Sequence, residues 1–388
     1  MRIVHGLISA DSHVVLDRDA FLRHMSSATW GDRIPHVAEV RDRDRAGNER
    51  IVDRWMVNGQ MAGRGGVANC PAVMSDPNRK TYPQRWEDVP PKAWDPVERL
   101  EALDSDGIDA EVLFPNDHTR GFFYDYGDAE FELACVQAEN DALAEWRQVS
   151  DRFAPLAIIP FLGGIEVMVA EVERAAKLEL RGIHMLADPS QNVPGARPIG
   201  DRYWDPLWAA CQDLEMPMHL HESGGLGMKL SVLPWDGYSP NQFHVVMTTP
   251  TAAVPAQAIP NIIFSGIPDR FPRLKWVCAE TGLGWVNYVL EGCDHEWEQR
   301  HLWTEGILTR PSEVFHRQMY VDFWYEMANV PLRHRIGLDN IMWQSDYPHT
   351  TSTYPDSWGY VERTLQGVPE EERRKILYEN AIRVYRLD

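Results

Sequence analysis

The chain has 388 residues, 38 Lys and Arg against 58 Asp and Glu, and a net charge of −20. That field repels phosphate backbones and anionic lipid surfaces, which sets aside nucleic acid and membrane as partners and favours a small molecule. Hydrophobic residues make up 44% and charged residues 25%, the usage of a soluble globular chain with a sizeable core, so disorder, collagen and coiled coil are excluded.

Short apolar runs bounded by Gly, Pro, Asn or Asp recur along the chain: Gly6 to Ala10, Ala110 to Phe114, Leu156 to Phe161, Gly182 to Leu186, Met216 to Leu220, Trp276 to Ala279, Met319 to Phe323 and Ile341 to Trp343. Runs of this length without strict alternation are expected of strands buried on both faces, and the long spacers between them suit helices. Eight such units predict an α/β fold, a closed (β/α)8 TIM barrel. Helices are predicted from Phe131 to Trp146, from Trp285 to Trp303, and from Pro369 onward, where Ile376, Leu377, Ala381, Val384 and Tyr385 share one face behind an acidic first turn. Residues 16–99 are too long for a simple strand-to-helix link. They read as an insertion covering a barrel mouth within one domain of 388 residues, with a hairpin around Gly47-Asn48.

The opening MRIVHGLISADSHVV lacks the apolar region and cleavage site of a signal peptide, and no apolar run is long enough to cross a bilayer, so a cytoplasmic protein is expected. Cys70, Cys135, Cys211, Cys278 and Cys293 contain no CxxC pair, which fits reduced, buried thiols rather than disulfides or a thiolate metal site. Gly282-Leu283-Gly284 is only part of a dinucleotide fingerprint, and no GxSxG elbow occurs.

Polar residues gather at the expected strand ends. Asp11 and His13, two apart, project from one face of the first strand and can reach a common divalent cation, although a capping Asp beside a surface His reads the same way. His184 interrupts an apolar strand, as a hydrogen-bonded core residue or a ligand. His219 and His221 sit two apart where a strand opens into Ser-Gly-Gly, so at least one should reach the mouth. Asp346 ends the last strand with His349 three residues on, and a turn-capping role is open to it as well. In a (β/α)8 barrel these ends converge on one face, and a shared cation explains four of them together better than four separate accidents.

These stretches carry a family resemblance. ISADSHVV, RGIHML, MPMHLHESGG, FSGIPDRFPRLKWVCAETGLGWVNYVLEGCDHEW, NIMWQSDYPHTTSTYPDS and YENAIRVYRL resemble the second amidohydrolase family, amidohydrolase-related proteins, in the branch of aminocarboxymuconate semialdehyde, γ-resorcylate and 5-carboxyvanillate decarboxylases. The resemblance implies Asp11, His13, His184 and Asp346 as metal ligands, His221 as the catalytic histidine, and homodimers or homotetramers. Many relatives carry His, and decarboxylating ones Glu, at the first position; Asp11 is shorter, which would draw the metal toward it or leave it outside direct ligation. Glu280, in CAETG, is expected either to orient a histidine or to form a rim salt bridge.

Two imidazoles and two carboxylates suit one Zn²⁺ or Mn²⁺. In a decarboxylation the ion would grip the substrate's carboxylate and Asp346 or His221 would protonate carbon; in a hydrolysis the same residues would activate water against a carbonyl. The acidic first position and the aromatic-rich composition tilt the expectation toward non-oxidative decarboxylation of an aromatic or related unsaturated acid. A metal-dependent hydrolase of an amide, lactone or C–C bond is the alternative, and a silent binding barrel a third possibility. Asn116, His118 and Arg120, in FPNDHTRGFF, together with His219 and His349, are the expected substrate contacts.

Overall fold

The computed structural model describes residues 1–43, 48–62, 66–68, 70, 82–115, 123–221, 237–239, 242, 245–246, 248–250 and 253–387. Strand β1 (Ile8–Val14) is followed by the three strands of a separate sheet, β2 (His36–Arg43), β3 (Glu49–Val57) and β4 (Gln60–Ala62). Then come β5 (Ala110–Pro115), β6 (Phe153–Pro155), β7 (Ile183–Met185), β8 (Met218–His221), β9 (Trp276–Ala279), β10 (Met319–Phe323) and β11 (Ile341–Trp343). Helices separate most of these later strands, the alternation that forces parallel pairing.

One parallel sheet runs β1-β5-β6 and another β7 to β11. They meet at a parallel bridge between Ala157 and Ile183. At the opposite seam Asp346 N–H donates to the Asp11 carbonyl (3.0 Å) and His13 N–H to the Tyr347 carbonyl (2.7 Å). Eight parallel strands therefore form a ring, the TIM barrel expected from the apolar runs. Six runs match their strands to within two residues at each end. Beyond the first run the strand continues through Asp11-Ser12-His13, as expected, to Val14.

The run Leu156 to Phe161 needs correction: the strand lies earlier, at Phe153–Pro155. The reason is a side chain that replaces the ladder. Asn140 donates to the Ile158 carbonyl and accepts from Ile158 N–H, both at 3.0 Å, so this backbone is satisfied without a strand partner.

The helix predicted over Phe131 to Trp146 spans Ala129–Val149, capped by Asp128, which accepts from Phe131 N–H (3.1 Å). Trp285 to Trp303 divides into a helix at Val286–Gln299 and a 3₁₀ turn at Leu302–Glu305, parted by His301 in a left-handed conformation (φ 52°). The closing segment is helical from Glu370 to Tyr385 with a wider π turn over Lys375–Glu379. Strands β2 and β3 are antiparallel with Val40 opposite Val52 and Arg41 opposite Ile51; residues 44–47, at the expected hairpin turn, lie outside the described residues.

Apolar side chains form two layers. Inside the ring, Ile8, Ala10, Val112, Phe114, Leu156, Val277 and Met342 pack together, and Ala381, Val384 and Tyr385 of the closing helix, with Leu387 just beyond it, plug the end. Outside it, helices cover the strands in a second cluster that also takes in Val37 of β2 and Trp55 and Val57 of β3. Trp208 and Trp276, both fully buried, anchor this outer layer with ring centroids 5.2 Å apart; truncating such a ring costs about 3–5 kcal/mol. All five cysteines are free and buried, and burial pushes the Cys70 thiol up to about 12 and that of Cys293 to about 11, so none is a ready thiolate.

A cluster of imidazoles and carboxylates at the strand ends

The first strand carries a register shift between Ser9 and Ser12, and this decides what faces the axis. Ile8 and Ala10 pack in the inner core. Without an extra residue, strict alternation would send Ser12 inward and Asp11 and His13 outward. The bulge resets the phase. Asp11 and His13 then turn into the ring while Ser9 and Ser12 meet Ser345, with all three hydroxyls about one hydrogen bond apart at 3.0 Å.

Around the mouth the polar side chains fall into two overlapping groups, Asp11, His13, His221 and Glu280, and His13, Glu280, Asp346 and His349, each with one potential ligand atom per residue all within 4.8 Å of one another. His13 Nε2 lies 3.5 Å from Asp11 Oδ1 and 3.3 Å from Asp346 Oδ1. His221 Nε2 lies 3.5 Å from Asp11 Oδ2 and 3.3 Å from Glu280 Oε2. His349 stacks on His13 at 3.7 Å and its Nδ1 approaches Asp346 Oδ1 at 2.9 Å. His184 stands outside both groups, its ring 5.7 Å from that of His221. Phe114 lies between barrel and site, with its ring centroid 4.9 Å from His221, 5.5 Å from His184 and 5.9 Å from His13.

Two of the carboxylates stand on strained backbone: Glu280 has φ 55° and Asp346 φ 59°. Left-handed conformations of non-glycine residues cost on the order of 1 kcal/mol or more and persist only where neighbours enforce them. Asp346 is held by its N–H to the Asp11 carbonyl, and Thr351 donates its hydroxyl to Oδ2. Glu280 is held by Asp322 Oδ1 and Gln344 Oε1, which accept its N–H at 2.8 and 3.1 Å. The following turn needs Gly282 (φ 66°), because a Cβ there would collide with the Glu326 carboxylate. That turn accounts for the first glycine of the partial dinucleotide motif.

The electrostatics are those of a cation site. Burial drives the His13 and His184 imidazoles well below their ordinary pKa, with His349 adding to the effect at His13 and His221 at His184; both are neutral at pH 7, the state that ligates metal. Burial alone would raise the Asp346 carboxyl, yet His349 and His13 hold it well below the usual carboxylate range. Asp322 is pushed well above that range by burial and then by the Asp11 charge. His13 and His184, held neutral, bring no positive charge to offset the ionised Asp346. Both ring nitrogens of His13 and Nε2 of His221 are buried and lack a hydrogen bond of good geometry, which a divalent cation would relieve.

Among the sequence candidates, His219 is corrected. It lies one layer deeper than His221, fully buried, with Nδ1 3.2 Å from the Ile183 carbonyl and Nε2 3.0 Å from the Tyr385 hydroxyl. Both nitrogens are spent on the protein, so it has none for a substrate. Asn116, His118 and Arg120 lie outside the described residues. Sequence reasoning missed Asp322 and Gln344; the period-two spacing of Tyr320, Asp322 on β10 and of Met342, Gln344 at the end of β11 was the available signal.

A decarboxylase, OrsB, of Emericella nidulans is 25% identical over 305 residues, 73% of this chain and 83% of its own length. An amidohydrolase of Mycobacterium avium subsp. paratuberculosis superposes with a TM-score of 0.72 at 21% identity, covering 98% of each chain. A dihydroxybenzoic acid decarboxylase of Polaromonas, solved with bound manganese and the inhibitor 2-nitroresorcinol, superposes with a TM-score of 0.58 at 23% identity over 78% of this chain and 89% of that one. Residues 15–387 match the amidohydrolase family. The chain belongs to that family.

Proposed function

We propose that the protein is a metal-dependent, non-oxidative decarboxylase of an aromatic or related unsaturated carboxylic acid. The observation that carries the reading is the convergence of Asp11, His13, His221, Glu280, Asp346 and His349 from four separate strand ends into two groups sharing His13 and Glu280, in a chain similar to decarboxylases. We assign Asp11, His13, His184 and Asp346 to one Mn²⁺ or Zn²⁺, borderline to hard ions that suit nitrogen and carboxylate donors. When bound, the ion supplies charge stabilisation at the substrate's carboxylate and neighbouring hydroxyl.

The chain's own residues do the rest. Phe114 walls the inner side of the site and keeps water from entering through the barrel. His221, between Asp11 and Glu280, or Asp346, beside His349, delivers a proton to the ring carbon that bears the carboxyl group. The C–C bond then breaks, its electron pair returns to the ring, and CO₂ leaves. Glu280 fixes the orientation of the His221 ring. His349 and, outside the described residues, Asn116, His118 and Arg120 are assigned to substrate contact, and residues 16–99, which follow β1, to a cap over the mouth.

No helix among the described residues is long and apolar enough to cross a membrane; we take the enzyme to be a cytoplasmic homodimer or homotetramer. Incubating the Mn²⁺- or Zn²⁺-loaded protein with a panel of hydroxybenzoates and, separately, amides and lactones tests the reaction. Release of CO₂ is expected. Carbonyl hydrolysis without CO₂ would replace the decarboxylase with a hydrolase.

A further inference from the structure

Behind β1, on the face away from the cluster, Arg99 of the helix Pro96–Asp106 is completely buried. Its guanidinium reaches in two directions. Nε donates to both carboxylate oxygens of Glu111 on β5, at 3.1 and 2.9 Å. Nη2 donates to the His13 carbonyl at 3.3 Å and to the Tyr347 carbonyl at 3.0 Å, Nη1 to the Lys92 carbonyl at 3.4 Å, and Cζ lies 4.2 Å from the centre of the Tyr347 ring. One planar cation thus ties β5, the end of β1 and the segment after β11 at the seam where the ring closes.

Such a pair is a poor device for stability alone. Desolvating an arginine and a glutamate offsets most of their attraction, and apolar residues of similar volume commonly do as well or better. What apolar residues cannot do is donate in a fixed plane to carbonyls on β1 and on the segment after β11; a guanidinium can, and an ammonium cannot reproduce the fork. The two carbonyls belong to His13 and to the residue next to Asp346.

We propose that Arg99, held by Glu111, is a positioning residue for the cation site, setting the separation of His13 and Asp346 from behind the barrel. This rests on the reading that those two side chains ligate a divalent ion. The test is calorimetric titration of metal-free, full-length protein with Mn²⁺, with thermal melting alongside, for wild type, Arg99→Met, Arg99→Lys, Glu111→Gln and His13→Ala. A purely structural role would lower the melting temperature of the Arg99 variants and leave Mn²⁺ affinity in the folded protein unchanged. The proposal expects Arg99→Met and Arg99→Lys to weaken Mn²⁺ binding about tenfold or more, and Glu111→Gln to weaken it less, the range seen when groups that orient metal ligands are removed.

If Arg99→Met does not fold, Arg99→Lys and Glu111→Gln carry the same readout. Folded variants that bind Mn²⁺ as wild type does overturn the proposal. If His13→Ala also binds as wild type does, the cation-site reading itself is what has failed.

Discussion

His219 and His221 stand two residues apart on one strand, point into the same barrel and are both buried, yet their surroundings are opposite. In the lower layer His219 is saturated: a backbone carbonyl takes one nitrogen, the Tyr385 hydroxyl the other, and burial lowers its pKa to about 3. In the upper layer His221 faces two carboxylates at 3.3–3.5 Å without a well-formed hydrogen bond at Nε2. Burial therefore does not distinguish a functional histidine from a structural one. What does is whether the protein has already used its nitrogens.

The sharpest break of this contrast comes from the upper layer. Asp346→Asn should lower CO₂ release by ~10³-fold or more, as loss of a metal ligand or proton donor does, with a melting temperature in metal-free buffer close to wild type. His221→Asn should cost ~10²-fold in kcat under saturating metal and leave the fold intact. Next in size, Gln344→Leu removes one of the two acceptors of the Glu280 N–H, and about a tenfold loss of activity is expected from the misplaced carboxylate.

In the lower layer the effects invert. Tyr385→Phe or His219→Leu leaves a buried polar group without its partner, so denaturant melts should show a loss of about 1–3 kcal/mol with kcat of the folded protein little changed. If His219→Leu instead removes activity at constant stability, the two layers have been assigned the wrong way round.

The smallest effect concerns neither layer and serves as a control. Burial pushes the Asp106 carboxyl up from its ordinary 3.8 to about 6, against the hydrogen bonds it accepts from Ser357. A folded-state pKa above the unfolded one means that stability present below pH 4 is lost as the pH rises toward 6. Asp106→Asn should flatten that part of the stability–pH curve without changing metal affinity.

Much of this architecture could be read in the residues. The runs around Trp276, Met319 and Ile341 mark their strands because each is short, apolar and closed by polar residues. The pairing of Asp11 with His13 was legible too, but for an incomplete reason: alternation places them on one face, and only the bulge between Ser9 and Ser12 turns that face inward. A bulge leaves no mark in a hydrophobic pattern. The same limit hid the deeper position of His219, since its partner Tyr385 arrives from the last helix, 166 residues away in sequence. Arg99 and Asp322 went unnoticed because their work is done through main-chain groups of distant residues, His13, Tyr347 and Glu280, which no local spacing encodes.

The most direct measurement is a crystal structure of the Mn²⁺-loaded protein with anomalous data at the manganese edge. The account predicts one strong peak in ligating contact with Asp11, His13, His184 and Asp346. A fully loaded protein whose peak lies elsewhere, or that shows none, would contradict it.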